Sequence, residues 1–117
     1  DWPAGNTTFS RLLLQDIAHL PQEDIKSDSY VVHTLEASIW CLMTTDSYEE
    51  AVLKAVNLGG DSDSTAAVTG GLAGILYGSK YIPSHWLSSL ARYDEIIDLC
   101  DRFETSLSAQ KEPLKAE

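Results

Sequence analysis

The chain has 117 residues, enough for one hydrophobic core, and its 44% hydrophobic and 22% charged content is that of a soluble globular protein. A net charge of −10 argues against nucleic acid and membrane surfaces as partners, although a bound cation can reverse an acidic field locally and admit a phosphate-bearing ligand. Cys41 and Cys100 are far apart, lack CxxC spacing, and read as reduced core thiols of a cytoplasmic protein without a signal peptide. Met43 is the only methionine, so the expectation is a fragment of a longer chain.

Pro3, Gly5 and Asn6 mark residues 1–7 as loop. Phe9, Leu12, Leu13, Ile17 and Leu20 recur at helical spacing and predict a helix over 8–20, stopped by Pro21, with His19 near its C-terminus. A second helix is predicted over 30–43, with Val32, Leu35, Ile39 and Leu42 inward, Trp40 and Cys41 in the core, His33 a packing residue, and Asp28 or Ser29 as cap. Ser47 and Glu50 have capping-box spacing. Tyr48, Ala51, Val52, Ala55 and Val56 then follow a helical period until Leu58-Gly59-Gly60 ends the helix.

The next helix is predicted over 63–78. Gly70, Gly74 and Gly78 stand four apart among alanines, which costs helix stability unless another helix crosses close by. The uncharged run from Ser64 to Ser79 would span about 24 Å, short of a hydrocarbon core of about 30 Å. It reads as the buried central helix of a soluble bundle. Ile82-Pro83 opens a short helix to Leu90, with His85 exposed and Trp86 and Leu87 packed. The last helix runs over 92–108 with Ile96, Ile97, Cys100, Phe103 and Leu107 inward, followed by a frayed tail over 109–117. The fold class is all-α: an orthogonal multi-helix bundle around a Gly/Ala-rich helix.

Between the third and fourth helices, Asp61-Ser62-Asp63-Ser64-Thr65 crowds two carboxylates and three hydroxyls behind Gly59-Gly60. One aspartate is explained as an N-cap; the second is not. Two such carboxylates repel unless water or a cation separates them, and carboxylate and hydroxyl oxygens are the ligands that Mg2+ or Mn2+ prefers. An EF-hand loop fails here, because its glycine and glutamate positions are Ala66 and Leu72. The Asp-x-Asp-x-Thr string of haloacid-dehalogenase-type phosphatases matches literally, but that string ends a buried strand, and here a helix precedes it. A site in a helix bundle fits.

Asn57-Leu58-Gly59-Gly60-Asp61-Ser62-Asp63-Ser64-Thr65, running on into Thr69-Gly70-Gly71-Leu72-Ala73-Gly74, resembles the C-terminal signature of the ADP-ribosylglycohydrolases. Tyr30-Val31-Val32-His33-Thr34-Leu35-Glu36-Ala37 and Ile82-Pro83-Ser84-His85-Trp86 resemble that family too. The resemblance implies an all-α hydrolase with two Mg2+ or Mn2+ ions in a central cleft, cleaving the glycosidic bond between ADP-ribose and a protein side chain or related acceptor. It implies Asp61, Asp63 and Ser64 as metal ligands, with Asp63 bridging both ions. Thr65, Ser62, Tyr30 and Ser29 would support the site or line the ligand cleft.

Family members are longer and carry a Thr-Asp-Asp string and an upstream Glu that are missing here, since Thr45-Asp46 is followed by Ser47. The whole of 1–117 therefore reads as the C-terminal part of a single domain. The catalytic acidic residues would lie in the missing N-terminal portion, which becomes a partner alongside ADP-ribose or ADP-ribosylated protein. Uncovered helix faces would favour self-association. The rival class is a non-catalytic, crystallin-like scaffold or ADP-ribose-binding module; a haloacid-dehalogenase-type phosphatase comes third.

Overall fold

The computed structural model describes residues 8–115, so the loop expected over 1–7 lies outside the described residues. Those described form α1 (Ser10–Leu14), α2 (Val31–Met43), α3 (Tyr48–Val56), α4 (Ser62–Tyr77), α5 (Ser84–Ser88) and α6 (Tyr93–Lys115), with 3-10 turns at Ile17–His19, Gln22–Asp24 and Ser79–Tyr81. No strand occurs among them, and the all-α class is as expected. The chain divides into two compact units, Asp1–Ile82 and Pro83–Glu117.

In the first unit α4 packs against both α3 and α2, and α2 also meets α3 and the Ile17–His19 turn. The core gathers Ile17, Ile25, Ala37, Trp40, Cys41 and Ala55. Ser38, Thr65 and Thr69 are also buried. Buried hydroxyls are costly unless bonded, and these are: Ser38 Oγ donates to Thr34 O at 2.8 Å and Thr65 O at 3.3 Å, and Thr69 Oγ1 donates to Thr65 O at 2.7 Å. The Ser38 bond ties α2 to α4 directly. Trp40 Nε1 donates to Leu20 O at 2.9 Å, and Lys54 Nζ lies 4.2 Å from a Trp40 ring centroid.

The single helix expected over 8–20 is interrupted. Gln15 is extended, and the chain resumes as the 3-10 turn Ile17–His19. Asp16 is the cause: its carbonyl accepts the His19 amide at 3.1 Å and its carboxylate meets His19 Nδ1 at 2.6 Å, local bonds that compete with a helix. Neither Asp28 nor Ser29 caps α2. Tyr30 holds the cap position, and Asp28 Oδ1 accepts the Tyr30 amide at 3.0 Å instead. The Ser47 half of the expected capping box forms, with Ser47 Oγ accepting the Glu50 amide at 3.1 Å, while Glu50 Oε2 reaches one residue further back and accepts the Asp46 amide at 3.0 Å.

The central helix is not buried all round. It buries one stripe, Thr65, Thr69 and Ala73, while Ile75 is 86% exposed, because α2 and α3 cover a single side. Only one glycine of the expected close crossing meets a neighbour: a Cβ on Gly70 would lie 3.2 Å from Tyr48 Oη, whereas Gly71 and Gly74 face open space.

In the second unit His85 is exposed and Trp86 and Leu87 are half-buried. The inward face expected for α6 is exposed instead, Phe103 by 64% and Ile96, Ile97, Cys100 and Leu107 with it. The expected tail continues as helix through Lys115, consistent with the strong helix formers Ala109, Gln110, Lys111 and Glu112. Among the described residues no helix is long and apolar enough to cross a membrane.

Candidate functional site

The site is built by the turn from α3 into α4. Asn57 closes α3, and Gly59 and Gly60 follow with φ of +78° and +61°. That left-handed backbone reverses the chain within two residues and suits glycine. Gly60 has a second reason to be glycine: a Cβ there would overlap the Ser27 carbonyl. The close approach lets the Asp61 amide donate to Ser27 O at 2.6 Å. Ser27 Oγ and Thr65 Oγ1, 3.1 Å apart, hold the same two segments together. The loop before α2 is thus docked on the turn before α4.

Asp61 occupies the N-cap position of α4, yet its side chain caps no backbone amide. Its Oδ1 accepts the Ser64 hydroxyl at 3.1 Å. Asp63 Oδ1 accepts the Ser64 amide at 2.9 Å. The two carboxyl groups are within hydrogen-bonding reach of each other. Their shared bond pushes Asp61 above the ordinary carboxylate range, with the Ser64 hydroxyl opposing and the charges of Asp63 and Asp28 adding. The same bond, helped by the Ser64 amide, holds Asp63 below that range. Two adjacent carboxylates repel, and a cation held between them would relieve that repulsion.

Asp61, Asp63 and Ser64 are therefore brought together, half-buried to exposed at the head of α4. This donor set of two carboxylates and a hydroxyl fits a hard divalent ion. Among the described residues no group of three or more His, Cys, Asp or Glu is placed to hold one ion. Thr65 is fully buried, and its hydroxyl turns to Ser27 and, at 3.5 Å, to the Asp61 carbonyl rather than to a carboxylate. Ser62 is half-buried as the first residue of α4. Ser29 and Tyr30 are exposed on the loop that Ser27 docks.

Sequence reasoning passed over Asp28 as part of this assembly. Its carboxylate accepts from His33 Nδ1 at 2.8 and 2.9 Å, and from the Tyr30 amide. These bonds, His33 first, hold Asp28 below the ordinary carboxylate range. An ionised carboxylate only accepts, so His33 Nδ1 carries the hydrogen. The Tyr30 ring meets the His33 ring edge-on, with centroids 4.9 Å apart. The one signal in the sequence was the Asp-x-Tyr spacing of an Asx turn at the head of α2.

The sequence model of the family described as ADP-ribosylglycohydrolase matches residues 4–113. The chain belongs to the ADP-ribosylglycohydrolase family. It is 44% identical over 81 residues to ADP-ribosylarginine hydrolase Tri1 of Serratia proteamaculans (strain 568), covering 69% of this chain and 22% of that protein. It is 42% identical over 65 residues to the ADP-ribosyl-[dinitrogen reductase] glycohydrolase of Rhodospirillum rubrum, covering 56% of this chain and 22% of that protein. With ADP-ribosylhydrolase ARH3 of Bos taurus it shares 35% identity over 52 residues, 44% of this chain and 14% of that protein. The chain thus spans about a fifth of the length of the first two of these ADP-ribosylglycohydrolases.

Proposed function

We propose that this chain supplies half of a dinuclear metal site in an ADP-ribosylglycohydrolase, an enzyme that hydrolyses the bond between ADP-ribose and a protein side chain or related acceptor. The observation that carries the reading is the convergence of Asp61, Asp63 and Ser64, with Asp61 in a cap position that it does not use to cap. The names of the relatives, an arginine-linked hydrolase and a dinitrogen reductase glycohydrolase, support ADP-ribosylated protein as the substrate class.

Asp61, Asp63 and Ser64 would hold Mg2+ or Mn2+, which when bound supplies Lewis acidity and a more acidic water. The chain's own part is positional. Ser64 fixes both carboxylates, one through its hydroxyl and one through its amide. Thr65 and Ser27 fix the backbone beneath them. Tyr30 and Ser29 line the ligand side of the docked loop. The other metal ligands and the catalytic acidic groups come from the remainder of the protein, so the isolated chain binds metal weakly and turns over little substrate.

The test is a chimera in which this chain replaces the matching segment of the Serratia hydrolase. Magnesium-dependent release of ADP-ribose from ADP-ribosylated protein is expected, falling at least about a hundredfold with Asp61→Asn or Asp63→Asn. A folded chimera whose turnover is untouched by both changes would sink the reading. ADP-ribose binding without turnover would mark the non-catalytic module instead.

A further inference from the structure

The site turn is held from outside as well as from within. His33, on the first turn of α2 and half-buried, grips both oxygens of the exposed Asp28. Asp28 is the chain neighbour of Ser27, whose carbonyl takes the Asp61 amide and whose hydroxyl meets Thr65. Asp28 also closes a turn onto the Tyr30 amide, and Tyr30 packs its ring edge-on with His33. A continuous run of bonds therefore joins α2 to the head of α4. Without His33, the Asp28 carboxylate keeps only the amide of its own turn, and the hydroxyl bond to Thr65 is left as the remaining side-chain tie on Ser27.

We propose that His33 and Asp28 are positioning residues for the metal-site turn, fixing the Ser27 carbonyl so that Asp61 is presented beside Asp63 and Ser64. The pair acts through the backbone and need not touch a metal or a substrate. The metal half of its consequence rests on the function proposed above; the positioning half does not.

The two halves separate in one experiment on the 117-residue chain, labelled with 15N. The first readout is hydrogen exchange at the Asp61 amide, which needs no metal. His33→Ala and Asp28→Ala are each expected to speed it about tenfold, the loss of roughly one anchoring hydrogen bond. His33→Asn places an amide donor where Nδ1 stood and is expected to stay within about twofold of the parent. Asp28→Asn keeps an acceptor oxygen, removes the charge, and is expected to do the same. Helical circular dichroism confirms that each variant is folded; where an alanine variant is not, the two asparagine variants are judged against Thr65→Val, which removes the hydroxyl that meets Ser27 and the Asp61 carbonyl and is expected to speed exchange.

The second readout is Mn2+ broadening of the Ser62, Asp63 and Ser64 amide signals, which registers weak binding. His33→Ala is expected to raise the half-broadening concentration about tenfold, with His33→Asn restoring it. Asp61 exchange unchanged by His33→Ala, or equally fast in His33→Ala and His33→Asn, overturns the positioning role. Broadening that persists unchanged in Asp61→Asn and Asp63→Asn overturns the metal reading and leaves the exchange result to decide the positioning role.

Discussion

The Ser27 carbonyl receives the Asp61 amide at 2.6 Å, and Gly60 is what lets the two segments come that close. Gly59 and Gly60 are both left-handed, but only Gly60 faces a neighbour that an added methyl would strike. Gly59→Ala should therefore cost only the left-handed penalty, about 1–2 kcal/mol. Gly60→Ala should cost more, because it adds an overlap with backbone and separates Ser27 from Asp61. Urea unfolding midpoints compare the two. Equal losses would mean that the loop before α2 is not docked on the turn.

The aspartate pair makes a prediction about titration. Asp61 is raised chiefly by its bond with Asp63, and Asp63 lowered by the same bond. The pair should thus lose its protons in two steps that straddle an ordinary carboxylate. A raised folded value contributes stability below the unfolded value of about 3.9 and loses it as pH rises through the folded one; a lowered value does the reverse. Acidification should accordingly relieve repulsion at Asp61 before it costs anything at Asp63 or at Asp28, which His33 also holds low. Carboxyl 13C titration of Asp63→Asn should show the Asp61 midpoint falling toward the ordinary value. A midpoint that stays raised would assign the shift to something other than Asp63.

Helix α3 was legible in the sequence, because its Ser47 cap and its period are local. The aspartate cluster was legible for another reason: capping asks for one carboxylate and the sequence offers two. What the sequence could not show is which apolar faces are covered. The all-round apolarity of α4 and the stripe of α6 state a preference for burial, yet Ile75 and Phe103 are exposed in this chain. Asp28 and His33 were missed because they are five residues apart across a loop-to-helix boundary, which is neither a helical nor a strand period. Their link to Asp61 runs through a backbone carbonyl, and that leaves no mark in residue identity.

The glycines of α4 separate a packing role from a vacant one. A Cβ on Gly70 would meet Tyr48 Oη at 3.2 Å and Val52 Cγ2 at 3.8 Å, while Gly71 would meet nothing within 4 Å. Gly71→Ala should stabilise the isolated chain by about 0.5–1 kcal/mol through helix propensity alone. Gly70→Ala should gain less or lose, because α3 must give way by a few tenths of an ångström at Tyr48. Thermal unfolding of the two variants reads the difference. A larger gain at Gly70 would show that α3 does not lean on α4 at that point.

The cysteines report on the core directly. Cys41 is fully buried between helices, and burial pushes its thiol up to about 11, with Lys54 only partly opposing. At about pH 8 that leaves roughly one thiolate per thousand molecules, and that thiolate is screened from reagent as well. Cys100 is exposed on α6. A disulfide reagent should therefore titrate one thiol per chain promptly and the second only as the first unit opens, at a rate that urea accelerates in step with unfolding. Cys100→Ser should abolish the prompt phase and leave the slow one untouched. Prompt reaction of two thiols in the folded chain would mean that α2 is not sealed against its neighbours, and the tie from Ser38 to Thr65, which rests on that packing, would fall with it.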